Sequence, residues 1–252
     1  MAKGAVNTLL KELEKYPIDD GHTRFYRGHH SLKYKMEPVL YRNDALRQKE
    51  CFLYHEALMR LPNLLEHSNG VFDAMVKLQH YGLPTRLLDL TTNPLIALFF
   101  ACNSKKPKTG NAVLHFIDVP NNSIVYYDNP VLEMIVNMAN NPYLVVEDNK
   151  QKLAKKVLKE LDYDSKITLD SVVLCVKPLL NNPRIIRQSG AFLLFGEKGV
   201  FENISIFKTN KIEIASNSLG KILGQLKVLG ITQSSVFPET EKILEELKDK
   251  YL

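Results

Sequence analysis

Apolar residues recur with a helical period near the start of the chain. Val6, Leu9, Leu10 and Leu13 share one face, which predicts a helix over residues 5–16. TRFYRG (residues 23–28) switches to strand formers and ends on a glycine, so it reads as a strand running into a turn. Residues 44–61 return to the helical period, with Leu46, Leu53, Ala57, Leu58 and Leu61 as the stripe. A further helix over 70–81 ends at Gly82 and Pro84. TRLLDLTT (85–92) predicts a strand. Asn93 then suits a helix N-cap and Pro94 a first helical residue. LIALFFAC (95–102) is apolar on every side, which predicts a helix buried at the centre of the fold.

The second half is richer in strands. NAVLHFIDVP (111–120) is one, with SIVYYD (123–128) expected as its partner across a short turn. Residues 130–162 read as helix in two pieces broken near Pro142. ITLDSVVLCVKP, GAFLLFGE and ISIFKTNKIEIA predict three more strands. Amphipathic helices follow over 218–229 and 239–250, separated by a turn at Gly230 and a break at Pro238. Helices early and strands late give the α+β class: a central mixed or antiparallel sheet flanked by N-terminal and C-terminal helices. No linker composition interrupts the chain. A single domain over 1–252 is expected, with its core at about 20–210 and a helical flank over 215–252.

Composition narrows the class only modestly. The net charge is +5, spread over scattered lysines with no compact basic arm, so nucleic-acid binding is permitted without being indicated. The three cysteines, Cys51, Cys102 and Cys175, lie far apart among apolar residues, which favours free thiols over a disulfide framework or a zinc site. The histidines lack metal-ligand spacing. No apolar run reaches about 18 residues and the N-terminus lacks signal-peptide character, so no membrane association and a cytoplasmic location are expected. Phosphate-loop, dinucleotide-fingerprint, nucleophile-elbow and metalloprotease motifs are all missing.

Three stretches carry the candidate chemistry. In FYRGHH (25–30), Arg27 ends a strand where a guanidinium can grip a phosphate or carboxylate by two parallel bonds. Gly28 permits close approach of a ligand or of another backbone, and His29 or His30 would line a rim. In HYGLPTRLLDLTTNP (80–94), His80 and Tyr81 offer a wall for a planar ring. Arg86 and Asp89 fall on opposite faces of the strand. Asp89, read as a buried carboxylate, needs a partner such as Arg27. In PRIIRQSGAF (183–192), Gln188 can orient a ligand by its amide but cannot act as a base.

These stretches together resemble the FRG domain family, named for an aromatic-Arg-Gly motif, here Tyr26-Arg27-Gly28. The resemblance spans roughly residues 20–200, and its most specific part holds Arg86, Asp89, Thr91, Asn93, Pro94 and Ala97. That family's chemistry is undefined.

A weaker similarity is to ADP-ribosyltransferases of the Arg-Ser-Glu type. It rests on the order of Arg27, LLDLTTNPLIALFFA, AVLHFIDVPNNS and RQSGAF, with Thr91 and Thr92 at the Ser-Thr-Ser position. It implies NAD as substrate, bound by Gly28, His29, His80, Tyr81, Arg86, Thr91 and Thr92, with Arg27, Asp89 and Gln188 as the catalytic set. It also implies ADP-ribose cleaved or transferred to a protein or nucleic-acid acceptor, in a toxin or phage-defence setting. Gln188 departs from the pattern, because it stands where a glutamate is expected. Asp89 is then the candidate carboxylate. Two alternatives stand beside this reading: a non-catalytic module binding a nucleotide or a protein, and an effector that processes nucleic acid.

Overall fold

The computed structural model describes residues 5–66, 68–104, 110–141 and 148–239. The chain runs through α1 (Val6–Glu14), β1 (His22–His29), α2 (Asp44–Arg47), α3 (Glu50–Arg60), α4 (Pro62–Leu65) and α5 (Gly70–His80). β2 (Leu87–Thr91), α6 (Pro94–Cys102), β3 (Ala112–Pro120), β4 (Ile124–Tyr126), α7 (Pro130–Asn140) and α8 (Asp148–Glu160) follow. Last come β5 (Val173–Lys177), α9 (Pro183–Gln188), β6 (Gly190–Phe195), β7 (Lys208–Ile214), α10 (Leu219–Val228) and α11 (Gln233–Val236). The α+β class holds. The predicted helix over 239–250 lies, apart from its first residue, outside the described residues.

The seven strands form one mixed sheet in the order β4-β5-β6-β2-β1-β3-β7, in which only β4 and β5 run parallel. β1 and β3 pair along their whole shared length, from His22↔Pro120 to His29↔Val113. β1 and β2 meet far more briefly, with Tyr26↔Thr91 as their registered pair. The segment SIVYYD does not partner β3. Both edges of β3 are taken, one by β1 and the other by β7, so β4 crosses to the far edge and pairs with β5 at Ile124↔Cys175.

α6 sits where its composition demands. The Asn93 side chain accepts from the Leu95 amide, Pro94 opens the first turn, and Ala97, Leu98, Ala101 and Cys102 are completely enclosed. The helix presses on β1 at Gly28. An ideal Cβ added there would lie 1.9 Å from the Ala97 carbonyl oxygen and 2.6 Å from the Ala101 nitrogen. The glycine therefore serves backbone-on-backbone packing.

The predicted helix over 44–61 is broken at residues 48–49 into α2 and α3. Its leucine stripe is only partly covered. The buried residues of α3 are Glu50 and Tyr54, because the inward face carries a charge that meets Arg86. Cys102 and Cys175 are buried, and burial holds the Cys175 thiol above its ordinary pKa. Cys51 is half-buried and donates to the Asn140 carbonyl at 2.9 Å. No helix among the described residues is long and apolar enough to cross a membrane.

Candidate functional site

Alternation along β1 places Arg27 and His29 on one face of the strand. Arg27 donates from Nε to His29 Nε2 at 2.7 Å, which leaves the single proton of the neutral imidazole on Nδ1. Burial, reinforced by the Arg27 charge, pushes the His29 pKa down to about 2, so the ring stays an acceptor at neutral pH. From the other end of the guanidinium, Nη1 donates to the Asp89 carbonyl oxygen across the β1–β2 junction. Arg27 is thereby clamped between two strands.

The Asp89 carboxylate is a looser partner. It stands 3.8 Å from Arg27 Nη1, its side chain is 52% exposed, and it accepts from the Gln79 amide at 3.0 Å. The expectation of a buried Asp89 is therefore corrected. Its side chain leaves the strand toward solvent, while Leu88 and Leu90 fill the core. Desolvation lowers the Arg27 pKa from its ordinary value, with Asp89 only partly opposing it. A guanidinium remains charged nonetheless. Arg27 thus enters the site as a partly buried cation with donors to spare.

Arg27 and Asp89 line one cavity of about 310 Å³, together with Thr91, Gln188, Arg42 and Arg184. That size is at the lower end for a small-molecule site. Tyr26, Tyr34, His30 and Phe100 supply its aromatic surface, and Gly28 and His29 also border it. Thr91 is buried, and its hydroxyl is already spent. It donates to the Gln188 carbonyl at 2.6 Å and accepts from the Asn93 amide at 3.0 Å, locking the end of β2 to the end of α9. Gln188 closes α9 just before Ser189, which adopts a left-handed conformation at φ 46°. Its Nε2 donates to the Val236 carbonyl at 3.2 Å.

Four expected contacts fall elsewhere. Arg86 lies across the sheet, where Nε and Nη2 make a buried two-bond pair with Glu50 at 2.9 and 2.6 Å and Nη1 donates to the Phe195 carbonyl. This is a structural pair, formed because the alternation of β2 sends Arg86 away from Asp89. His80 does not line the cavity. It turns toward β6, accepts from the Asn182 amide at 3.1 Å, and is held at a pKa of about 4 by burial and by Arg184. Tyr81 points outward and is 68% exposed. Thr92 faces a separate surface cavity beside Tyr126 and Tyr127.

Two arginines were not anticipated. Arg42 borders the cavity, with its guanidinium carbon 5.6 Å from the Tyr34 ring centroid and Nη2 donating to the Glu37 carbonyl. Arg184 enters from α9, one helical turn before Gln188, and its Nη1 donates to the His80 carbonyl at 3.0 Å. The signal was an Asn-Pro helix start at Asn182-Pro183, repeating Asn93-Pro94. Read as a helix, PRIIRQ puts Arg184 and Gln188 on one face.

Residues 22–110 match the family model of the FRG domain. The matched segment holds β1, β2 and α6, and so contributes Arg27, Asp89 and Thr91 to the cavity; Arg184 and Gln188 come from beyond it. No curated protein and no solved structure matches the chain. Among the described residues, no cluster of His, Cys, Asp or Glu is arranged to hold a metal ion.

Three buried imidazoles make the fold sensitive to acid. Burial lowers the pKa of His29 to about 2 and of His80 and His115 to about 4. Unfolded histidines titrate near 6.5, so the unfolded chain binds more protons below that value. Stability should be full above about pH 6.5 and fall as pH drops toward about 4. Urea midpoints measured between pH 7 and pH 4 test this, and His115→Asn should flatten the profile.

Proposed function

We propose that the Arg27 cleft binds a nucleotide through its phosphates, that the nucleotide is NAD, and that the chain cleaves it or transfers its ADP-ribose to a macromolecular acceptor. The observation that carries the reading is Arg27 itself. It is a partly buried guanidinium with unspent donors, clamped by His29 and the Asp89 backbone, and its ion-pair partner Asp89 stands 3.8 Å away with its side chain half in solvent. An arginine in that state suits the oxygens of a pyrophosphate. Arg42 and Arg184 add positive charge to the same cavity, and Tyr34 and Phe100 offer faces for a planar ring.

Roles follow from chemistry. Cleaving the bond between ribose and nicotinamide builds positive charge on the sugar, and an ionised Asp89 would stabilise it. Gln188 keeps an amide oxygen for a ribose hydroxyl but contributes no charge. Water completes hydrolysis, giving nicotinamide, ADP-ribose and a proton; an acceptor nucleophile in its place gives transfer. Binding without turnover is the second reading. The neutral Gln188 and the exposed Asp89 both favour it.

NAD titration by calorimetry, followed by a nicotinamide-release assay, tests both readings. Arg27→Lys keeps the charge but loses the planar fork, so it should weaken NAD binding about tenfold while the fold is retained, with a modest fall in melting temperature from the lost clamp on His29 and the Asp89 carbonyl. Asp89→Asn should leave binding nearly intact and lower nicotinamide release by about 10²-fold. Heat of binding without nicotinamide release would leave the binding-module reading. No heat at all would sink NAD as the ligand.

A further inference from the structure

The segment after α10 covers one side of the cleft. Gly230, at φ 78°, turns the chain, and Thr232 caps α11 through a reciprocal pair of hydrogen bonds with Ser235. From there the segment reaches the two cleft residues carried by α9. The Val236 carbonyl holds the Gln188 amide, and the Phe237 ring packs against both Phe100 and the Arg184 guanidinium. Glu239 Oε1 then accepts from Arg184 Nη1 at 3.1 Å.

That last pair is poorly made. Arg184 Nε and Glu239 Oε2 are both buried with no hydrogen-bond partner among the described residues. A guanidinium and a carboxylate that fit each other form two parallel bonds, as Arg86 and Glu50 do in the same molecule. Here one bond forms and two buried polar atoms are left unsatisfied, which is costly in a folded protein. Arg184 is thus a cationic cavity residue with a donor unspent, and its present anion is supplied by the chain itself.

We propose that Arg184 is a second anchor for a ligand phosphate, and that residues 233–239 form a displaceable strap whose Glu239 carboxylate competes for that anchor. The ligand class is a diphosphate-bearing nucleotide, so the proposal rests on the anionic-cleft reading above. A phosphate untethered to the chain can settle on Nε and an Nη together, as the Glu50 carboxylate does on Arg86, whereas the Glu239 carboxylate as held here takes Nη1 alone. Displacing Glu239 also frees the Gln188 amide from Val236, so the strap sets both residues at once.

Calorimetry with inorganic pyrophosphate on the full chain tests this without depending on NAD. Glu239→Gln removes the competing charge at constant size and should tighten pyrophosphate binding about tenfold, within the usual range of coupling between sites. Glu239→Asp, which draws the carboxylate back, should act in the same direction. In an Arg184→Gln background, Glu239→Gln should no longer change the affinity. An unchanged or weakened affinity for Glu239→Gln overturns the strap. If the wild type binds NAD while Glu239→Gln has no effect on pyrophosphate, the nucleotide cleft survives and the strap fails. If pyrophosphate binding tightens while NAD gives no heat, the strap survives and the dinucleotide fails. Pyrophosphate binding to neither protein overturns the anchor and the strap together.

Discussion

Gly28→Ala should lower stability by more than about 3 kcal/mol, a loss beyond ordinary overpacking. The new methyl would meet the Ala97 carbonyl oxygen at 1.9 Å and the Ala101 nitrogen at 2.6 Å, and both belong to helix backbone that no side-chain rotation can move. β1 and α6 would have to part. For a chain of this size that corresponds to a fall of at least about 6 °C in melting temperature. Arg27 is the next residue along, so ligand binding should fall with it. An unchanged melting temperature would mean that β1 and α6 do not touch at Gly28. The substitution also separates two uses of a glycine: here the close approach is made by the backbone of a helix.

Glu50→Ala should cost about 3–5 kcal/mol, because it strands the Arg86 guanidinium inside the protein. The side chains of Arg86 and Glu50 are only 5% and 10% exposed, and among the described residues no other carboxylate bonds to Arg86. Replacing both partners with apolar residues, as in Glu50→Leu with Arg86→Met, should recover most of the loss, since neither charge then remains to be desolvated. Urea unfolding of the single and double variants measures both effects. If the single substitution costs no more than an exposed pair would, about 1 kcal/mol or less, the pair is not structural.

What the sequence revealed was what depends on neighbours along the chain. α6 was legible because its cap, its first proline and its all-round apolarity lie within ten residues. The convergence of Arg27 and Asp89 was legible because two motifs implied it. The partner of β4 was not, because pairing depends on which sheet edges remain free, and no local pattern records that β7 would claim β3. The Glu50–Arg86 pair joins residues that alternation and helical period treat separately. Asp89 was misjudged for a related reason. An apolar strand suggests burial on both faces, yet the strand sits where the sheet opens toward solvent and its one carboxylate takes that side. Arg184 was recoverable, but only once the short α9 was recognised from its Asn-Pro start.

The brevity of the β1–β2 contact has a mechanical consequence. A ladder resists shear and bending in proportion to the bonds it carries, and this sheet carries least where Tyr26 faces Thr91. On one side stand β1, β3 and β7; on the other stand β2, β6, β5 and β4. The sheet therefore resembles two plates joined along a narrow crease, with the cavity opening at that crease. Arg27 belongs to one plate, while Arg184 and Gln188 ride on the other. A ligand gripped from both sides would act as a rivet, and the stiffness of the whole sheet would then depend on a molecule that is not part of the chain.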